Sequence, residues 1–317
     1  MGLYCFGIDV GGTSVKCGLF TTEGALVEKW EIPTRTDHDG SQILPDIAET
    51  IQKKIEELGI VAEDVEGVGI GIPGPVNNKG ETPVAVNLHW GFKAVAAELS
   101  ALTGLTAKAA NDANVAALGE AWRGAASGSK NVLLITLGTG VGGGVIIDGS
   151  IVHGFHGAAG EIGHALINRK ETVPCNCGNC GCLEQYCSAT GIVRLAHEAL
   201  DKYKEDSVLR QAEKDGVLDA KAVLDAYKDE DPLAVRIMER FGDLLGSAIA
   251  IFSAVLDPES IVIGGGVSKA GKPLTDLIQK YYDQYAFTPC KGTPIIRAIL
   301  GNDAGIYGAA RMVLKNE

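Results

Sequence analysis

Hydrophobic and polar positions along this chain follow two rhythms, one of short alternating runs and one of helical stretches. The opening thirty residues carry the first: LYCFGID, GGT, VKCGLF, TTEG and ALVEKWEI alternate β-prone runs with glycine or polar turns. This predicts an antiparallel meander whose first strand covers Leu3–Asp9. A helical pattern then runs from Ser41 to Leu58, and VEGVGIG reads as a buried strand. After a Pro/Gly/Asn loop over 73–83, Phe92–Leu102 reads as helix, LTAKAA as strand and Ala113–Trp122 as helix. A helical stretch extends from about Ala189 to Val255, SIVIGGGVS is a buried strand ending in glycines, and NDAGIYGAARMVLKN closes the chain as a helix.

One pattern occurs twice. NVLLITLGTGVGGGVIIDG repeats the strand, glycine turn and strand of FGIDVGGTSVKCGLF about 127 residues further on, which points to a duplicated fold. Two GxGxxG matches, at Gly138/Gly140/Gly143 and Gly69/Gly71/Gly74, lack the helix start that a dinucleotide site requires, since VIID and PVNN follow them. No GxxxxGK[ST] is present, so a P-loop is excluded as well. What is left is hairpin glycines beside acidic or hydroxyl residues. Gly11, Gly12 and Thr13 after Asp9, and Gly138 and Gly140 with Thr136 and Thr139, can aim backbone N–H groups at phosphate. Asp9 can hold Mg²⁺ through water. The plainer reading, two β-hairpins whose glycines serve only their turns, loses ground because the loops are paired.

Length and charge narrow the class. A chain of 317 residues suggests two domains of about 150 residues. Hydrophobic content of 46% with 21% charged residues is that of a soluble globular protein. A net charge of −12 argues against a nucleic-acid surface, and no apolar run approaches the ~20 residues of a membrane span. No basic leader precedes the first strand, so the cytoplasm is the expected location. Thiols stay reduced there, and clustered cysteines then favour metal over disulfides. Five of the eight cysteines fall between Gly154 and Ser188. Cys175, Cys177, Cys180 and Cys182, with His164 upstream, have the spacing of a structural zinc knot, and Glu161 and Glu184 flank it. An iron–sulfur cluster on the four cysteines is the rival, and it leaves His164 without a role. Cys5, Cys17 and Cys290 read as small buried apolar residues.

Taken together, DVGGTSVK (9–16), GIPGPV (71–76), NLHW (87–90), NDANVAALGE (111–120), LGTGVGGG (137–144), GAAGEIGH (157–164), CNCGNCGCLEQYCS (175–188) and IGGGVS (263–268) resemble the ROK sugar kinases. The likeness runs in family order over most of the chain and is nearest to the bacterial ATP-dependent glucokinases. It implies an actin/hexokinase-type, ribonuclease-H-like α/β fold, duplicated into two domains with an active-site cleft between them that closes on sugar. The expected division is residues 1–120 plus 300–317 against 121–299.

The resemblance also implies roles. Asp112 becomes the general base that takes the proton of the sugar 6-hydroxyl as glucose is converted to glucose 6-phosphate. From the residues alone, an aspartate before an alanine-rich helix reads as an N-cap. Asn87, Asn111, Asp112, Glu161, His164 and Glu184 correspond to sugar-contacting positions. Asp9, Gly11, Gly12, Thr13, Thr136, Gly138, Thr139 and Gly140 fall on the ATP and Mg²⁺ side, with Gly264, Gly265 and Gly266 toward the adenosine. The family's zinc ligands map to His164, Cys175, Cys177 and Cys182; Cys180 is extra, and a free thiol is the preferred reading of it. A homodimer or homotetramer is implied. The same motifs also suit kinases for N-acetylglucosamine, N-acetylmannosamine, fructose or allose. A sugar-responsive transcriptional regulator calls for a helix-turn-helix domain, which this sequence does not contain. A non-catalytic sugar-binding scaffold is expected to have lost Asp9, Asp112 or a glycine loop, and all are present.

Overall fold

The computed structural model describes residues 2–314, and these form two compact units. Of the described residues, the first comprises 2–130, 144–160 and 299–314; the second comprises Asn131–Gly143 and Glu161–Ala298. The division expected at residue 120 is thereby moved. Residues 121–130 stay with the first unit because they follow directly from its helix, and 144–160 join it through local contacts. Gly144 lies against the Ala113 carbonyl, where an added Cβ would sit 2.5 Å away, and His153 Nδ1 is 3.3 Å from the Val76 carbonyl.

Among the described residues, ten strands build two five-stranded sheets. The first holds β1 (Tyr4–Val10), β2 (Ser14–Thr21), β3 (Leu26–Pro33), β4 (Val65–Ile72) and β5 (Ala107–Asn111) in the order β3-β2-β1-β4-β5. The second holds β6 (Val132–Leu137), β7 (Val141–Ile147), β8 (Ser150–Ile151), β9 (Ser260–Gly264) and β10 (Ile295–Arg297) in the order β8-β7-β6-β9-β10. The two orders are the same: three consecutive strands on one side, then two parallel strands added beyond the first of them. The duplication read from the paired glycine loops is therefore a duplication of topology, with the boundary between units running through β7.

Helices follow the chain as a single turn α1 (Asp37–Gly40), then α2 (Ile43–Leu58), α3 (Val95–Thr103), α4 (Asp112–Arg123), α5 (Glu184–Cys187), α6 (Ala189–Lys202), α7 (Leu209–Lys214), α8 (Ala220–Lys228), α9 (Pro232–Leu256), α10 (Lys272–Tyr285) and α11 (Ala304–Val313). The single helical stretch expected from Ala189 to Val255 is four helices. Asp219 caps α8, and Asp231 followed by Pro232 starts α9, each carboxylate accepting backbone N–H groups that no preceding turn can serve.

Period-two alternation places β1 in the middle of a sandwich. Phe6, Ile8 and Val10 join a core with Ile43, Ile47, Ile51, Val95 and Leu99 of α2 and α3. Cys5, Gly7 and Asp9 point the other way, toward α11. That helix approaches so closely that a Cβ on Gly69 of β4 would lie 1.7 Å from the Ala309 carbonyl. Its own Gly308 meets α4 in the same way, 1.6 Å from the Val115 carbonyl. Only hydrogen fits at either place, so α11 is locked between the sheet and α4 by glycine contact.

Candidate active site

Register decides which residues of the first unit meet. In the parallel set β1-β4-β5, Asp9 lies opposite Gly71, Gly71 opposite Ala110, and Ile72 opposite Asn111. Asp9, the GIPG turn and the Asn111–Asp112 junction therefore share the carboxyl-terminal edge of one sheet, where α/β proteins characteristically bind ligands. Asn111 is the N-cap of α4: its Oδ1 accepts from Ala113 N–H at 2.9 Å and Asn114 N–H at 3.2 Å. Its Nδ2 donates to the Gly74 carbonyl at 3.1 Å, tying the GIPG turn to the helix start. Capping is thus done by Asn111, and Asp112 occupies the first helical position with an exposed side chain whose Oδ1 accepts from Ala113 N–H at 2.8 Å.

Asp112 is close enough to Asp9 for the two carboxylates to feel each other. Burial pushes the Asp9 carboxyl up from its ordinary 3.8 to about 6; Lys16 opposes this and Asp112 adds to it. Lys16 stands opposite Asp9 on β2 and donates to the Asn302 carbonyl at 3.1 Å. A half-buried carboxylate whose charge is uncomfortable, with a second acid nearby, is the kind of donor a divalent cation relieves. Gly11, Gly12 and Thr13 form the exposed turn that follows, closed by Gly11 N–H donating to the Ser14 carbonyl at 2.9 Å. Asn87 is exposed on a short 3₁₀ turn over Val86–Leu88.

The second unit repeats this logic. Thr136 lies opposite Gly264 in the parallel pair β6-β9, so the two glycine turns that follow, 138–140 and 264–266, leave the same sheet edge. Gly265 adopts φ 80° against Leu137, with no space for a side chain. Thr139, Gly265 and Gly266 are exposed, while Thr136, Gly138 and Gly140 are half-buried. The 138–141 turn is gripped from one side. Ala189, the first residue of α6, donates to the Gly138 carbonyl at 2.7 Å, and Thr190 Oγ1 donates to the Thr139 carbonyl at 3.1 Å. The N-terminus of α6, capped by Ser188 Oγ, thus abuts a turn suited to phosphate.

Glu184 completes the grip. Its Oε2 accepts from Val141 N–H at 2.9 Å, and its Oε1 stands 3.7 Å from Cys175 Sγ. His164, Cys175, Cys177 and Cys182 come together with their donor atoms all within 4.8 Å of one another. Cys177 and Cys182 Sγ are 3.6 Å apart, and Cys175 Sγ is 4.0 Å from His164 Nδ1. Tetrahedral zinc with Zn–S of about 2.3 Å and Zn–N of about 2.0 Å sets thiolate–thiolate edges near 3.8 Å and thiolate–imidazole edges near 3.6 Å, so this Cys₃His set is compatible with a structural zinc. Cys180 is outside the set: its Sγ lies 3.6 Å from the Thr172 carbonyl. Glu161, exposed, starts the 3₁₀ turn that carries His164.

Some contributors were not foreseen. Gln185 laces the cysteine segment, its Oε1 accepting from Gly181 N–H at 2.8 Å and Cys182 N–H at 3.1 Å while Nε2 donates to the Val173 carbonyl at 2.9 Å. Glu171 accepts from the Tyr186 hydroxyl and pairs with Arg194, and the Tyr186 bond leads in holding its carboxyl down to about 2. The serine of YCSATG, standing before an Ala-led helix, was a legible cap signal for Ser188; Gln185 and Glu171 had none. A cavity of about 900 Å³ also opens at the free edge of β5, lined by Lys79, Lys108, His153 and Arg311 among others, and no glycine-loop or acidic residue of the site faces it.

Fold and site together define a duplicated, two-domain α/β protein of the actin/hexokinase type. The sequence matches the ROK family over residues 5–316, and the chain belongs to that family. It is 44% identical over 313 residues to a glucokinase of Halalkalibacterium halodurans, covering 98% of this chain and 95% of that one. A glucokinase of Thermotoga maritima is 34% identical over 314 residues, with 98% and 97% covered. Among solved structures, a ROK family glucokinase from Streptomyces griseus in complex with glucose and AMPPNP aligns with a TM-score of 0.73 at 31% identity, covering 98% of each chain.

Proposed function

We propose that this chain is a glucokinase that transfers the γ-phosphoryl group of ATP to the 6-hydroxyl of glucose. The observation that carries the reading is the shared sheet edge of Asp9, Gly71 and Asn111, which sets Asp112 near a half-buried acid suited to Mg²⁺. Asp112 accepts the 6-hydroxyl proton as that oxygen attacks the γ-phosphorus; the bond from γ-phosphorus to the β–γ bridging oxygen breaks, and ADP leaves with the bridging oxygen. Mg²⁺, which Asp9 would hold, supplies neutralising charge on the phosphates when bound. The first glycine turn and the 138–140 turn offer backbone N–H groups to phosphate, and Gly264, Gly265 and Gly266 lie toward the adenosine. Asn87, Glu161, Glu184 and the second ring nitrogen of His164 hold sugar hydroxyls, while Asn111 acts chiefly by fixing the helix that carries the base. A structural zinc on His164, Cys175, Cys177 and Cys182 leaves no open coordination position and takes no part in the chemistry. The assembly is assigned as a cytoplasmic homodimer or homotetramer, by analogy with the family.

A coupled assay of ADP release tests the activity, with glucose set against N-acetylglucosamine, N-acetylmannosamine, fructose and allose. Glucose is expected to have the highest kcat/KM; preference for another of these sugars reassigns the substrate. Asp112→Asn is expected to fold normally and to lose kcat by about 10²–10⁴-fold. Near-normal turnover in that variant removes Asp112 as the base.

A further inference from the structure

Glu120 is completely buried near the end of α4, and among the described residues no cation pairs with it. Its partners are backbone donors. Oε1 accepts from Leu300 N–H at 2.9 Å and Ile299 N–H at 3.1 Å, and Oε2 accepts from Ala125 N–H at 2.7 Å. Gly124 makes room for this, since a Cβ there would fall 2.1 Å from Oε2. Burying a carboxylate away from cations is costly, and here the cost is offset only by converging charge-assisted hydrogen bonds.

The donors mark where the chain crosses between its units. It first leaves the first unit after Lys130, shortly beyond Ala125, and after an intermediate return over 144–160 it re-enters for the last time at Ile299. One carboxylate therefore holds the segment before the first crossing and the segment after the last one, and holds them to the helix whose first residue is Asp112. Eight residues separate Asp112 from Glu120, about 12 Å along the helix axis. The bond to Leu300 also fixes the approach to α11, the helix locked against α4 through Gly308.

We propose that Glu120 is a positioning residue for phosphoryl transfer: it ties the segment after α4 and the segment leading into α11 to the base-bearing helix, and so fixes where that helix holds Asp112. The inference rests on the kinase reading above. A glutamine cannot replace the carboxylate, because its NH₂ would face a backbone N–H, donor against donor.

The test compares wild type, Glu120→Gln and Glu120→Asp at 25 °C, using steady-state kinetics, thermal unfolding and amide hydrogen exchange. Glu120→Gln is expected to remain folded and to lose about 100-fold in kcat, the scale of a small misplacement of reacting groups. Faster exchange at Ala125, Ile299 and Leu300 should accompany that loss. Glu120→Asp, which keeps the charge, should recover part of both. Wild-type kcat in a folded Glu120→Gln overturns the proposal, as does failure of both variants to fold, since either leaves Glu120 a stability residue alone. Should the wild type form no ADP with any sugar, the kinase reading fails instead. The exchange data then still report whether the carboxylate holds the two segments, and unchanged protection in Glu120→Gln overturns that on its own.

Discussion

Asp9 shows how a single residue carries two opposed demands. At neutral pH its carboxylate is charged in both the folded and the unfolded chain, but only the folded chain buries it. The rise from 3.8 to about 6 corresponds to about 3 kcal/mol of destabilisation above pH 6. Below about pH 4 the group is neutral in both states and the penalty vanishes. In protein free of magnesium and nucleotide, Asp9→Asn is therefore expected to be more stable than wild type at pH 7.5. The gap should narrow as the pH falls through 6 and close near pH 4, as read by urea unfolding across a pH series. A variant no more stable than wild type at pH 7.5 contradicts the burial argument. The same substitution should depress phosphoryl transfer, because it removes the donor proposed for Mg²⁺. Stability given up at a half-buried acid is thus tied to the role proposed for that acid.

At the scale of an element, the segment from Glu161 to Ser188 acts as a brace for the second glycine turn. Glu184 holds Val141 N–H, and α6 begins by holding the Gly138 and Thr139 carbonyls. The cysteines, His164, Gln185 and Glu171 keep the brace folded where few apolar residues are available to do so. About one zinc per chain by elemental analysis is expected, in a colourless protein; a brown protein would indicate an iron–sulfur cluster instead. Removing the metal with a chelator, or changing Cys177→Ser, should open 161–188 to proteolysis and weaken ATP binding through the loosened 138–141 turn. Loss of zinc with unchanged protease resistance and ATP affinity would show that side-chain hydrogen bonds suffice to hold the segment.

For the whole molecule, binding of glucose should stabilise the folded chain. At a concentration 100 times its Kd the gain is about 2.7 kcal/mol, visible as a raised thermal transition. A transition that saturating glucose does not move would contradict the proposed substrate. Much of this organisation was legible before any coordinates. The alternating runs of the opening meander, the repeated glycine turns and the Cys/His spacing are local patterns, and local backbone preferences and short-range ligand geometry determine them. Other features depended on tertiary structure. Parallel pairing of β1, β4 and β5 puts Asp9 level with Gly71 and Asn111, and packing against α11 leaves Asp9 half-buried. Asn111 takes the cap that spacing alone assigned to Asp112, and Glu120, an unremarked acid in an alanine-rich helix, closes on donors almost 180 residues away. Periodicity records which face of an element is buried; which distant segment lies against that face, and which polar groups meet there, is settled only when the sheets pair and the helices dock.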